Sequence, residues 1–213
     1  MIGARAISLF FLFAGIIILA QVSLPLVSFK IWELSFTKSN MPLVSPTSPQ
    51  VRGISVQRTE TNFPAIISTI ERKTPSPFSQ FYISISALKI EKASVFVDNN
   101  DLAKGLIHLP GSALPGEKGN VFISGHSSLP LLLGRSISKA IFVNLQKLQK
   151  GDQVKVFLGN TEFTYQILNL KIVDPNDLSV IAPPDFSERY LTLMTCIPPG
   201  LNTKRLVVLG KLI

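Results

Sequence analysis

YLTLMTCIPPGLNTKRLVVLGKL, residues 190–212, contains two runs of β-forming residues, YLTLMTC (Tyr190–Cys196) and KRLVVLGKL (Lys204–Leu212). Between them Ile197-Pro198-Pro199-Gly200 stops the first run and forces a turn. Six further short runs with period-two character precede them: FYISIS (Phe81–Ser86), SVFV (Ser94–Val97), LIHL (Leu106–Leu109), NVFISG (Asn120–Gly125), QVKVFL (Gln153–Leu158) and EFTYQILNLKIV (Glu162–Val173). Turn signals separate them at Asp98–Asn100, Pro115–Asn120, Lys150–Asp152 and Gly159–Asn160. Eight short strands in roughly 130 residues argue for an all-β barrel or sandwich. The stretch KAIFVNLQKLQK (Lys139–Lys150) has helical spacing and predicts a short helix.

The amino-terminal part is of another kind. The chain has 213 residues, 46% of them hydrophobic and only 16% charged, and much of the apolar excess sits between Ala6 and Val27. About 20 apolar residues, at about 1.5 Å each, match the ~30 Å hydrocarbon core of a bilayer. Arg5 precedes the run, which favours a cytoplasmic N-terminus and places the rest of the chain outside. A cleavable signal peptide is the competing reading, but no clean small-x-small site follows the run. Residues 1–36 are therefore expected to form a single transmembrane anchor with an interfacial end that includes Trp32. Residues 37–77, rich in Pro, Ser and Thr, read as an extended linker, and residues 78–213 as the folded domain. Within the linker, NFPAIISTI (Asn62–Ile70) is apolar enough to pack on the domain, as a helical turn or as a cover.

The net charge of +8 raises nucleic acid as a partner. Its basic residues are scattered, however, and no helix-turn-helix, zinc or stacking-aromatic signature accompanies them, so none is expected. An anionic membrane or wall surface accounts for the charge.

The single cysteine, Cys196, excludes an internal disulfide and a cysteine-based zinc site. It is either a small buried residue or a reactive thiol. Its place at a strand end before a proline loop is one that nucleophiles favour. A free thiol, with pKa near 8.5, needs a neighbouring base or cation. His126 follows a strand in FISGHSS, directly after Gly125. The other histidine, His108, lies inside an apolar run and reads as a packed or edge-strand residue. Arg205 opens the last strand. If that strand lies antiparallel to the Cys196 strand, Arg205 and Cys196 share one cleft, and the guanidinium offers rigid donors to a developing oxyanion. The residues permit this trio without compelling it.

Thr192–Cys196, TLMTC, resembles the T-L-x-T-C signature of sortases. Gly125–Ser127 is similar to the glycine-histidine step that carries the sortase histidine, and Arg205–Val208 to the sortase arginine strand, in the family order. LPGSALPGEKGNVFISGH (Leu109–His126) and FVNLQKLQKGDQVKV (Phe142–Val156) extend the likeness between the motifs, so that it covers about Phe81 to Ile213. The compact domain resembles the class D or E group. At the position after His126 this chain has Ser127, where some sortase classes have arginine.

The resemblance implies a closed eight-stranded β-barrel with short helices, and a membrane-anchored cysteine transpeptidase that cleaves an LPxTG-like sorting signal on a secreted protein. It implies Cys196 as nucleophile, His126 as acid and base, and Arg205 as oxyanion stabiliser, with Thr195 as a further donor to the peptide. The acceptor would be an amine of a peptidoglycan precursor or a pilin lysine. No cofactor or resident metal is expected, and a calcium requirement is left open. An extracytoplasmic cysteine protease and a non-enzymatic wall-binding β-domain are the rival readings.

Overall fold

The structure, a computed structural model, describes residues 2–39, 54–58, 64–70, 74–127, 141–199 and 203–213, with backbone alone at 2–7, 22, 25–26, 29, 33, 36–39, 54–58 and 64–65. The chain divides into two compact units, Met1–Thr47 and Ser48–Ile213. The first contains one helix, α1 (Ile2–Ser39). Leu9, Phe10, Phe11, Phe13 and Ile16–Leu19 are exposed, and Trp32 is partly buried. Among the described residues no helix is long and apolar enough to cross a membrane. The single transmembrane helix expected from the sequence is not supported by the described residues.

Among its described residues the second unit contains ten strands. β1 (Ile54–Arg58) and β2 (Pro64–Ser68) form a two-stranded antiparallel ribbon, with Ile54 opposite Ser68 and Arg58 opposite Pro64. The other eight are β3 (Gln80–Ile85), β4 (Ile90–Phe96), β5 (Leu106–His108), β6 (Gly119–Ser124), β7 (Gln153–Leu158), β8 (Thr161–Val173), β9 (Arg189–Ile197) and β10 (Lys204–Leu212). They close into a barrel in the order β10-β8-β7-β3-β4-β5-β6-β9. All neighbours are antiparallel except β4 with β5 and β6 with β9. Closure leaves no open sheet edge within the barrel.

The barrel interior is filled by side chains that stand in register across neighbouring strands. Val121 and Ile123 of β6 stand in register with Leu191 and Leu193 of β9, which in turn face Gly210 and Val208 of β10. These four side chains and that of Val208 are buried completely. Phe81, Ile83, Val154, Val156, Tyr165 and Ile167 complete the interior from the other strands. Each buried side chain of this size contributes about 1.5–3 kcal/mol relative to exposure.

All eight barrel strands read from the sequence are present. β4 starts earlier than expected, at Ile90, which pairs with Ile85; Glu91 and Lys92 form an irregularity in the ladder, where Lys92 has φ 44° and its N donates to Ser84 Oγ at 2.9 Å. The helix expected over Lys139–Lys150 is a correction: the described part forms one 3-10 turn at Leu145–Lys147, and residues 139–140 lie outside the described residues. Phe142, Leu145 and Leu148, which produced the helical spacing, are instead three anchors buried in the domain. Within residues 37–77, β2 packs onto the barrel through Ile66, and Ser68 pairs with Asn100. Asn62 and Phe63 lie outside the described residues.

Candidate active site

In β9 the alternation sends Leu191, Leu193, Thr195 and Ile197 inward and Thr192, Met194 and Cys196 to the outer face. The β9–β10 register then decides the neighbours: Arg205 lies opposite Cys196 and Val207 opposite Met194. Cys196 is half-buried and unpaired in any disulfide. Arg205 is only 2% exposed, and its Nη1 donates to the Lys204 carbonyl at 3.1 Å. A guanidinium so enclosed is fixed before any peptide arrives, which makes its donors effective against a developing negative charge.

His126 comes from the other side of β9. The parallel β6–β9 ladder ends with Ser124 beside Met194, so two residues further along each strand bring His126 level with Cys196. The segment leaving β6 is held by four hydrogen bonds. Gly125 N donates to the Met194 carbonyl at 3.0 Å, and Thr195 Oγ1 donates to the Gly125 carbonyl at 2.7 Å. Ser127 Oγ donates to the carbonyl of Cys196, and Phe142 N donates to the carbonyl of His126 at 3.1 Å. Gly125 is required by space: a Cβ there would meet Leu106 Cδ2 at 2.4 Å and Phe142 Cδ2 at 2.6 Å, both on completely buried side chains. The glycine before His126 therefore lets the chain pass close over the core.

Thr195, expected as a backbone or hydroxyl donor, is buried, and its hydroxyl donates to the Gly125 carbonyl. Ser127, read in the sequence only as a departure from arginine, is buried and tied to the nucleophile's own carbonyl. No sequence signal beyond its place after His126 pointed to this. His108 is packed, as its apolar run suggests, and takes no part in the site.

Burial pushes the Cys196 thiol above its ordinary pKa, and the charge of Arg205 opposes that push. At neutral pH most of the thiol is therefore protonated, and the reactive thiolate is a minority that Arg205 enlarges. Iodoacetamide alkylation of the full chain should rise with pH, with a midpoint above the ~8.5 of a free thiol. In Arg205→Ala the midpoint should move higher still, since the burial is then unopposed. A wild-type midpoint below that of a free thiol, or a downward shift in the variant, would contradict this electrostatic picture. Among the described residues no cluster of three or more His, Cys, Asp or Glu side chains is placed to hold a metal ion.

A closed β-barrel presenting one thiol opposite an enclosed guanidinium, with the His126 backbone at the end of the neighbouring strand, is an arrangement suited to acyl transfer. Residues 83–213 match the model of the Sortase domain, and the chain belongs to the sortase family, whose members are cysteine transpeptidases. Sortase D of Bacillus subtilis (strain 168) is 37% identical over 117 residues, 54% of this chain and 53% of that protein. Sortase A of Bacillus anthracis is 29% identical over 96 residues, 45% of this chain and 41% of that protein. The chain spans about half the length of the curated relatives it matches. Among solved structures, a Clostridium perfringens Sortase D5 transpeptidase superposes with a TM-score of 0.55 at 26% identity, over 66% of this chain and 82% of that one. The pilus-related Sortase C of Group B Streptococcus gives a TM-score of 0.55 at 32% identity, over 65% and 69%.

Proposed function

We propose that the protein is a membrane-anchored sortase that cleaves an LPxTG-like sorting signal on secreted proteins and transfers the acyl part to an amine. The observation that carries this reading is the register pairing of Cys196 with Arg205, with the His126 segment bonded to the Cys196 carbonyl. In the proposed sequence the Cys196 thiolate attacks the carbonyl after the motif's threonine. Arg205 stabilises the tetrahedral oxyanion. His126, as imidazolium, gives its proton to the leaving amine as the C–N bond breaks, and a thioester on Cys196 remains. An incoming amine from a peptidoglycan precursor or a pilin lysine attacks the thioester and gives its proton to His126. The thiolate departs and the starting protonation is restored. No cofactor takes part in these steps.

The anchor belongs to the same proposal. An apolar run over Ala6–Val27, preceded by Arg5, and a helix that exposes Leu9–Phe13 and Ile16–Leu19 support insertion in a membrane with the catalytic unit outside the cytoplasm. Alkaline extraction of membranes from cells making the full chain should leave it in the pellet, and release to the supernatant would count against an anchor.

Mass spectrometry of the full chain with LPxTG-type peptides, with and without an amine such as triglycine, tests the chemistry. A thioacyl adduct on Cys196 that the amine converts to an amide supports transpeptidation. An adduct that only hydrolyses favours the cysteine protease, and a thiol that forms no adduct and resists alkylation favours the wall-binding domain.

Ser127 acts here as a positioning residue. Ser127→Ala removes the tether between the His126 segment and the Cys196 carbonyl, and an error of this kind in alignment lowers kcat by about tenfold to a hundredfold. KM should change little, because no peptide contact is lost. Ser127→Thr keeps a hydroxyl at the same place and should recover most of kcat. A change in melting temperature without this kcat effect and rescue would reduce Ser127 to a packing role.

A further inference from the structure

A buried side chain outside the catalytic set joins β6, β9 and the β8–β9 connection. Asn120 of β6 is 4% exposed. Its Nδ2 donates to the Ile181 carbonyl at 2.9 Å, and its Oδ1 accepts from Thr192 Oγ1 at 2.9 Å. Thr192 belongs to β9 and is completely buried. Ile181 ends the 3-10 turn Leu178–Ile181 in the β8–β9 connection. The two ends of the Asn120 amide are not interchangeable. The Ile181 carbonyl can only accept, so the end that faces it must be the NH2 group, and the oxygen is left for the Thr192 hydroxyl. Neither an aspartate nor an apolar side chain meets both partners.

The turn so held lies against the catalytic strands. Ile181 is buried in one cluster with Val173, Met194 and Val207, and Leu178 and Val180 pack against that cluster. Met194 and Val207 are the pair two residues along the β9–β10 ladder from Cys196 and Arg205, about 7 Å at the rise of a strand. Val173 is paired with Arg205 across β8–β10. The barrel interior is filled, so a peptide reaches Cys196 from the outer face, the side on which the turn sits. The other polar ties of the connection are weaker. Asp174 pairs with Lys204 at 2.6 Å and Asp177 with Lys171 at 4.0 Å, but the two lysines are 45% and 41% exposed, and surface pairs of this kind add little. Asp177 also accepts from Ser179 N at 3.0 Å, which shapes the turn without attaching it to the barrel. Attachment rests on the packing of Ile181 and on the Asn120 amide.

We propose that Asn120 is a positioning residue for peptide binding: its amide sets the Leu178–Ile181 turn against the Cys196 face before the peptide arrives. That the molecule bound there is a sorting peptide rests on the transpeptidase reading. Without the amide, the Ile181 carbonyl and the Thr192 hydroxyl lose a buried partner, and the carbonyl regains one from water only when the turn lifts. The lifted state then competes with the docked one, and the apparent peptide affinity falls with the docked fraction. Cys196, Arg205 and the Ser127 tether are untouched, so the chemical step is spared. The effect falls on KM, the reverse of that expected for Ser127.

Steady-state kinetics of the full chain with an LPxTG-type peptide test this. Asn120→Ala and Asn120→Asp should each raise KM about tenfold and leave kcat within about twofold. Thr192→Val should raise KM about threefold, whereas Thr192→Ser, which keeps the hydroxyl, should restore the wild-type value. A second readout does not depend on catalysis. In Cys196→Ala/Ile181→Cys the introduced thiol is the chain's only one and sits in the buried cluster. Adding Asn120→Ala should raise its alkylation rate about tenfold if the amide holds the turn. An unchanged alkylation rate overturns the tether. Faster alkylation with unchanged KM, or a loss confined to kcat, overturns its part in peptide binding. Cleavage absent from the wild type overturns the transpeptidase reading, while faster alkylation still upholds the tether.

Discussion

Cys196→Ala is expected to remove the thioacyl adduct completely and to lower peptide cleavage by about 10⁴-fold or more. Cys196 is the protein's one cysteine, so no second thiol can form the covalent intermediate. The enclosed arginine and the histidine would remain, but they stabilise a charge that no longer develops. The fold should survive, because Cys196 is only half-buried on the outer face and its carbonyl, which accepts from Ser127, is unaffected by the change. Cleavage assays with circular dichroism on the same sample check this. Cleavage retained near the wild-type rate would remove Cys196 from the mechanism.

Arg205→Ala has the second largest expected effect, about 10²–10³-fold in kcat, the usual cost of removing one oxyanion donor. Two losses combine. The developing oxyanion loses its donors, and the thiolate fraction of Cys196 falls because the opposing cation is gone. Arg205→Lys should restore part of the electrostatic effect but not the planar fork, leaving kcat well below wild type. The separation is made by pH: if the thiol were the whole effect, high pH would rescue Arg205→Ala fully. A residual deficit of about tenfold or more above the thiol midpoint assigns the remainder to the oxyanion. Equal kcat for wild type and Arg205→Ala would exclude both roles. Since Arg205 is 2% exposed and lies in the ladder beside Cys196, thermal melting must accompany the assay.

Much of this protein is legible along the chain. The eight barrel strands announce themselves because a strand between a core and an outer face must alternate, and because Pro, Gly and Asn mark the turns. Cys196 stands out by being alone, and His126 by following a glycine at a strand end. The exceptions have physical causes. Ile66 and Ile67 sit in a Pro- and Ser-rich stretch that has no core of its own, so their strand exists only against β1 and the barrel. Phe142, Leu145 and Leu148 have helical spacing, yet they reach the core from a loop with one 3-10 turn.

The sequence by itself determined the strands, the reactive residue types, their order and the family likeness, because these depend on local periodicity and on chemistry carried by single side chains. Only the tertiary structure decided what those residues face. Ser127 meets a carbonyl 69 residues away, and Asn100 meets a strand 32 residues before it. The inner or outer face of Thr195 and Cys196 follows from a ladder register between β6, β9 and β10. Register is a property of pairs of strands, fixed by closure of the barrel and burial of Leu191, Leu193, Val121 and Val208, and no segment read alone contains it.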